Sequence, residues 1–161
     1  MFGELEEDDQ ALFRGLPMLG LGMEKGRESY RQGDFLIRHL MGMDRTNGVL
    51  AVGAMVEEGQ VVQFHVRDAE SSRSDLEELL IQHGRTNPVD QTEGAVLFSC
   101  LGRGQRFFGE PDHDTGMATR YLGGVAIGGF FCAGEIGPVN GQTWLHGYTS
   151  AIGVFRPRGW S

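Results

Sequence analysis

Cysteine is scarce. Cys100 and Cys132 are the only two in 161 residues, and no CxxC or Cys/His spacing accompanies them. That excludes a disulfide framework and gives no signal for structural zinc. Proline is also thin, at five. The glycines keep no period of three, so a collagen-like chain is excluded. Lysine is nearly missing: Lys25 stands alone, and the other thirteen basic residues are arginine. Fourteen bases face twenty-two acids, for a net charge of −8. Without a basic stripe, nucleic acid and anionic membrane surfaces are poor partners. The uncharged stretch 121–134 is too short and too glycine-rich to span a bilayer. The first nine residues are acidic where a secretory signal would be basic. Together these absences predict a cytoplasmic protein with no membrane segment, no cofactor and no metal.

What is abundant is glycine. There are 26, about 16% of the chain against a usual level of about 7%. Apolar residues at 40% and charged residues at 22% are those of a globular protein, and the length suits one domain with a real core. Charge and glycine are distributed unevenly. Residues 1–90 carry 17 acids and 9 bases, which is the whole net charge. Residues 91–161 carry 5 of each sign and hold 15 of the 26 glycines.

Periodicity predicts the elements. Residues 4–14 read as a short acidic helix with Leu5, Leu12 and Phe13 on one face. Residues 15–26 read as a loop, from four glycines and Pro17. Residues 34–40 read as a strand. Residues 49–56 and 60–67 read as a β-hairpin turned at Gly59. Ser74 and Glu77 have capping-box spacing in a helix that starts as early as Ala69 and closes at Gly84. Residues 85–93 read as a polar loop around Asn87-Pro88. Residues 95–100 and 125–132 are apolar runs of strand length, both read as buried. Between them, Glu110-Pro111-Asp112 opens a second helix that Gly123-Gly124 ends. Residues 142–156 return as one long or broken strand. The expected fold is α/β (α+β): a mixed β-sheet with a β-hairpin and two main helices packed on it.

Three segments carry candidate chemistry. In Ser99-Cys100-Leu101-Gly102-Arg103-Gly104 a buried strand ends in a hydroxyl and a thiol, then turns through two glycines around an arginine. Such strand ends favour ligands, and an arginine fork matches a carboxylate or phosphate. No GK[ST] follows, so this is not a P-loop, and Phe107 stands where a dinucleotide fingerprint needs its third glycine. A tight turn with a solvated arginine is the plainer reading. The second segment runs from Cys132 through Gly134, Glu135 and Gly137 to Pro138. Glu135 is the only acid in the last 47 residues, and a carboxylate in apolar surroundings needs a partner, hydrogen bonds or a function. A hydrated turn carboxylate is the alternative. The third segment holds His146 and Thr149; His146 serves a ligand or is a structural histidine. His39, His65, His83 and His113 show no partner pattern and read as structural or exposed. A thiol enzyme would combine Cys100 or Cys132 with His146 and Glu135.

Taken in order, these three segments resemble the C-terminal domain of the FIST family, a sensory domain of bacterial and archaeal signalling proteins and some eukaryotic F-box proteins. Phe35-Leu36-Ile37-Arg38 and Glu58-Gly59-Gln60 fit the same pattern upstream. The likeness spans about residues 15–156, leaving 1–14 as an acidic N-terminal segment and 157–161 as a tail. It implies a non-enzymatic sensory and signal-transduction domain that binds a small polar ligand, with amino acids as the candidate class. The residues themselves add a pairing that the resemblance does not supply: Arg103 and the amides near Gly102 and Gly104 are expected to hold a carboxylate, and Glu135 an ammonium. The ligand-binding set is then Ser99, Cys100, Gly102, Arg103, Gly104, Cys132, Gly134, Glu135, Gly137, His146 and Thr149, gathered at one end of the sheet. The usual N-terminal FIST domain has no counterpart in this sequence. The expected partners are therefore a small molecule and a FIST N-terminal domain or signalling protein in trans, or a second copy of the chain. The other readings are a thiol-dependent enzyme using Cys100 or Cys132, and an interaction module that completes a separately encoded N-terminal half.

Overall fold

The computed structural model describes residues 6–15, 17–31, 33–44, 46–139 and 141–158. Leu5, the Leu12 side chain, residues 1–5 of the expected acidic segment and residues 159–161 of the tail lie outside it. Helices and strands are mixed, as expected, and the chain forms two compact units, Met1–Asp68 and Ala69–Ser161.

The first unit begins with α1 (Glu7–Gly15) and continues into a four-stranded antiparallel sheet of order β3-β2-β1-β4. The strands are β1 (Met18–Gly22), β2 (Phe35–Asp44), β3 (Val49–Val52) and β4 (Val62–His65). Phe13 of α1 packs edge-on against Phe64, with ring centroids 5.4 Å apart. The segment expected as a loop instead supplies β1, a central and wholly buried strand. Its glycines are the reason. A Cβ at Gly20 would lie 2.5 Å from His65 Nε2, and one at Gly22 would lie 2.9 Å from Tyr30 Cε1. Alternate glycines leave one face of the strand open to neighbouring rings, where bulky residues would force them away.

The hairpin expected across residues 49–67 does not form. β3 pairs with β2 and β4 with β1, at opposite edges of the sheet. The β2–β3 hairpin is set by its turn. Asp44 Oδ1 accepts from the Thr46 amide (2.9 Å) and the Asn47 amide (3.2 Å), and Oδ2 from Asn47 Nδ2 (2.7 Å). Gly48 then takes φ 65°. This Asx turn and Asn-Gly pair fix the reversal more locally than the Gly59 signal. Gly59 does adopt φ 78°, but its turn carries the chain to the far edge.

The second unit is built on a three-stranded mixed sheet of order β6-β5-β9. In it β5 (Gly94–Cys100) pairs parallel with β6 (Ile127–Cys132) and antiparallel with β9 (Ser150–Phe155). A separate two-stranded ribbon joins β7 (Glu135–Val139) to β8 (Gln142–His146). Three helices complete the unit: α2 (Ala69–Thr86), the short α3 (Gln105–Phe108) and α4 (His113–Tyr121). Leu76 and Leu80 of α2 join Ala95, Ala118 and Leu122 in the core, with Ile127, Ile152 and Val154 packed against them. Each fully buried leucine contributes about 1.5–3 kcal/mol. Tyr121 Oη donates to the Glu77 carboxylate and ties α4 to α2.

Several boundaries differ from expectation. α2 starts at Ala69, so Ser74 lies inside it and its hydroxyl bonds back to the Ser71 carbonyl; the capping box is not a cap. Gly84 is also internal. Asn87 closes the helix, its amide (2.9 Å) and Nδ2 (3.0 Å) both donating to the His83 carbonyl. Gly123 and Gly124 end α4 with φ 79° and 74°, as the sequence indicates. The expected final strand is broken into β8 and β9 at 147–149. β6, read as buried, is an edge strand: Phe130 is 66% exposed and Phe131 56%. Apolar composition signals burial only when a neighbour covers the strand, and here the edge is open.

Candidate functional site

Residues along a strand alternate between the two faces of the sheet. Ser99 of β5 is therefore on the face of Ala95 and Leu97, which packs on the helices. Ser150, its register partner on β9, is on the same face. Cys100 and Thr149 fall on the opposite face. The candidate residues are thus sorted into two clusters that the sequence presents as one.

The helix-side cluster centres on Asp114, at the start of α4. Arg103 Nε donates to Oδ2 (2.7 Å) and Nη2 to Oδ1 (2.9 Å), a two-pronged pair with both side chains buried. Oδ2 also accepts from Ser99 Oγ (2.8 Å) and Ser150 Oγ (2.6 Å), and the two hydroxyls lie 2.7 Å apart. Oδ1 accepts from His113 Nδ1 (3.0 Å). Burial opposes ionisation of Asp114. The hydrogen bonds from Arg103, Ser150 and His113, with the guanidinium charge, outweigh that and hold the carboxyl well below its usual range.

His113 is fixed by its neighbours. Its ring stacks on Phe108 at 3.6 Å and 8°, and Arg73 Nε donates to its Nε2 (3.2 Å). With Nδ1–H donating to Asp114 and Nε2 accepting, the imidazole is the neutral Nδ1–H tautomer. Arg73 continues the chain outward to Glu70 (3.0 Å) and Glu110 (3.1 Å). The Arg103 guanidinium also sits 5.1 Å over the Phe108 ring.

Above this cluster lies a cleft of about 410 Å³, lined by Ser99, Arg103, Pro111, His113, Asp114 and Phe131 among others. It opens beside the carboxyl ends of the parallel pair β5–β6, where α/β sheets hold ligands. A second hollow of about 430 Å³, by Leu101, Gly102 and 104–107, lies along the exposed side of the α3 turn.

The opposite cluster centres on Glu135, which is 2% exposed. Its Oε2 accepts from Thr149 Oγ1 (2.8 Å) and the Thr149 amide (3.3 Å). Its Oε1 accepts from Cys132 Sγ (3.3 Å). These donors, not a cation, satisfy the carboxylate among the described residues. Burial and the Glu135 charge push the Cys132 thiol up, against the thiolate a nucleophile needs. His146 Nε2 donates to the Gly137 carbonyl (3.2 Å), so the Cys/His/acid geometry of a thiol enzyme is not assembled in this arrangement.

The glycines at these strand ends have protein neighbours. A Cβ at Gly102 would lie 2.4 Å from the Tyr148 ring, and one at Gly134 would lie 3.3 Å from the His146 carbonyl. Gly137 faces His146 across β7–β8, and a Cβ on Gly104 would meet only the Leu101 carbonyl, at 3.9 Å. The structure therefore brings Ser99 and Arg103 together on one face, and Cys132, Glu135 and Thr149 on the other with Cys100. The residues that sequence reading missed are Asp114, His113 and Ser150. An arginine in a glycine-bracketed turn after a buried strand needs a carboxylate, and the acids opening the next helix (Glu110, Asp112, Asp114) were the nearest set to test. No helix of the described residues is long and apolar enough to cross a membrane.

Two uncharacterized proteins of Mycobacterium tuberculosis, from strains CDC 1551 / Oshkosh and ATCC 25618 / H37Rv, are 41% identical over 155 residues, covering 96% of this chain and 40% of each relative. An uncharacterized protein of Mycobacterium bovis is 38% identical over 151 residues, covering 94% of this chain and 39% of the relative. The chain thus spans about two fifths of the length of the curated relatives it matches. No solved structure matches it. The model of the FIST C domain matches residues 3–138, across the hairpin, the Arg103 turn and Glu135, and the chain belongs to the FIST C domain family.

Proposed function

We propose that this domain is a non-enzymatic sensory module that binds a small polar metabolite bearing a carboxylate, with amino acids as the leading class. The observation that carries the reading is the cleft over the buried Arg103–Asp114 pair. The pair supplies both charges at one point. Arg103 keeps Nη1 without a hydrogen bond among the described residues, and that nitrogen suits a carboxylate oxygen. The first turn of α4 borders the same cleft and receives no side-chain cap, which favours a negative group there. Phe131 and Ile127 offer an apolar wall for the rest of the ligand. Membership of a sensory domain family supports binding over catalysis. The occupied state would be read by the remaining part of a longer protein, in the same chain or in trans.

This reading revises the pairing of Arg103 with Glu135, because the two lie in different clusters. A thermal-shift screen against the amino acids tests it. A specific ligand should raise the melting temperature by mass action. Thr115→Trp, which fills the cleft, should abolish the shift, and Glu135→Gln should retain it. A flat screen, or a shift lost in Glu135→Gln alone, would overturn the assignment.

A further inference from the structure

The second cluster also holds the two thiols of the chain. Cys100 and Cys132 end the parallel strands β5 and β6 and are register partners. Neighbouring strands lie about 4.7–4.9 Å apart, and a disulfide spans Cα separations of about 4.4–6.8 Å. Register partners in parallel strands also share a face. Two positions back and on the same face, Phe98 and Phe130 show this directly, with ring centroids 5.1 Å apart. Both cysteines are free. Cys132 is half-buried and Cys100 is buried. They are the only two cysteines in the chain.

We propose that Cys100 and Cys132 form a reversible cross-strand disulfide by exchange with a low-molecular-weight disulfide such as oxidised glutathione. Cys132 is the entry point, being the more exposed. Its thiol loses a proton, attacks one sulfur of the small disulfide and releases the other half as a thiolate, which takes up the proton. The Cys100 thiol then loses its proton, attacks Cys132 Sγ in the mixed disulfide and expels the second half as a thiol. Two protein thiols are oxidised to one disulfide, and one small disulfide is reduced to two thiols. The raised Cys132 thiol makes the first step slow at neutral pH and faster as pH rises.

The bond would change the Glu135 cluster. Cys132 Sγ–H is the donor to Glu135 Oε1, and a disulfide sulfur carries no proton. Oxidation therefore frees one oxygen of a buried carboxylate while Thr149 still holds the other. A redox event on one face is thereby linked to the hydrogen-bonding state of that carboxylate.

The test uses the full native chain incubated with oxidised glutathione, quenched in acid and analysed by intact mass and tryptic mapping. Arg103, Arg106 and Arg120 separate the two cysteines into different peptides. The expected product is a monomer lighter by two hydrogens, with the Cys100 and Cys132 peptides joined and released by dithiothreitol. Cys100→Ser should trap the mixed disulfide on Cys132. Cys132→Ser should leave Cys100 unmodified over the same time. Native protein that accumulates only mixed disulfides, that links chain to chain, or that reacts only after unfolding in guanidinium, would overturn the proposal.

Discussion

Arg103 grips Asp114 through two parallel hydrogen bonds, Nε to Oδ2 at 2.7 Å and Nη2 to Oδ1 at 2.9 Å, with both side chains out of solvent. The arginine comes from the turn after β5 and the aspartate from the first turn of α4, eleven residues on. Removing one partner strands the other charge. Arg103→Ala should cost about 3–5 kcal/mol of stability, read from urea unfolding. An apolar double replacement, Arg103→Met with Asp114→Leu, should recover much of that loss, because no buried charge is then left alone. An Arg103→Ala variant as stable as the parent would show that the pair does not hold α4 to the sheet.

The same carboxylate sets an acid limit. Its folded pKa lies below the unfolded value of about 3.9. The stabilisation is therefore complete above about pH 5 and is lost as pH falls from there toward the lowered folded value. Urea midpoints measured down the acid range should fall more steeply for the parent than for Asp114→Asn. Parallel pH profiles would remove this assignment.

His65 predicts a separate pH response in the first unit. Burial lowers its pKa, and its Nε2 is buried without a hydrogen-bond partner among the described residues. Its ring packs on Phe35 at 5.1 Å. Because the folded pKa is below the unfolded one, stability is full above about pH 6.5 and declines as pH falls below it. His65→Phe should flatten that part of the curve. An NMR titration giving His65 an ordinary or raised pKa would contradict the sign.

Gly128 and Gly129 should behave in opposite ways. A Cβ at Gly129 would lie 1.8 Å from the Leu97 carbonyl oxygen, so Gly129→Ala must separate β6 from β5. A loss of about 3 kcal/mol is expected, the upper part of the range for overpacking. Gly128 has open space at the same test, and Gly128→Ala should stay within about 1 kcal/mol of the parent. Equal tolerance of both in thermal unfolding would mean that the strands can slide apart at little cost.

Local signals are legible in the sequence where they act over a few residues. Gly123-Gly124 as the stop of α4 and the strand ending at Cys100 follow from turn chemistry and spacing. The failures share a cause. β1 reads as a loop in the sequence because the rings that fill its glycine positions, His65 and Tyr30, are distant along the chain. Alternation across 49–67 points to a hairpin between sequence neighbours, but sheet order is not written in alternation. β6 reads as buried because composition carries no record of which edge of a sheet stays open.

Composition and spacing carry the chemical inventory: two thiols, an arginine turn, one late carboxylate and the family pattern that links them. Which of these meet is set by packing. Alternation along β5 and β9 sends Ser99 and Ser150 toward α4, and Cys100 and Thr149 the other way. The crossover then places Asp114 under Arg103, a pairing that no local rule supplies, because a buried guanidinium is satisfied by whichever carboxylate the packing brings within reach.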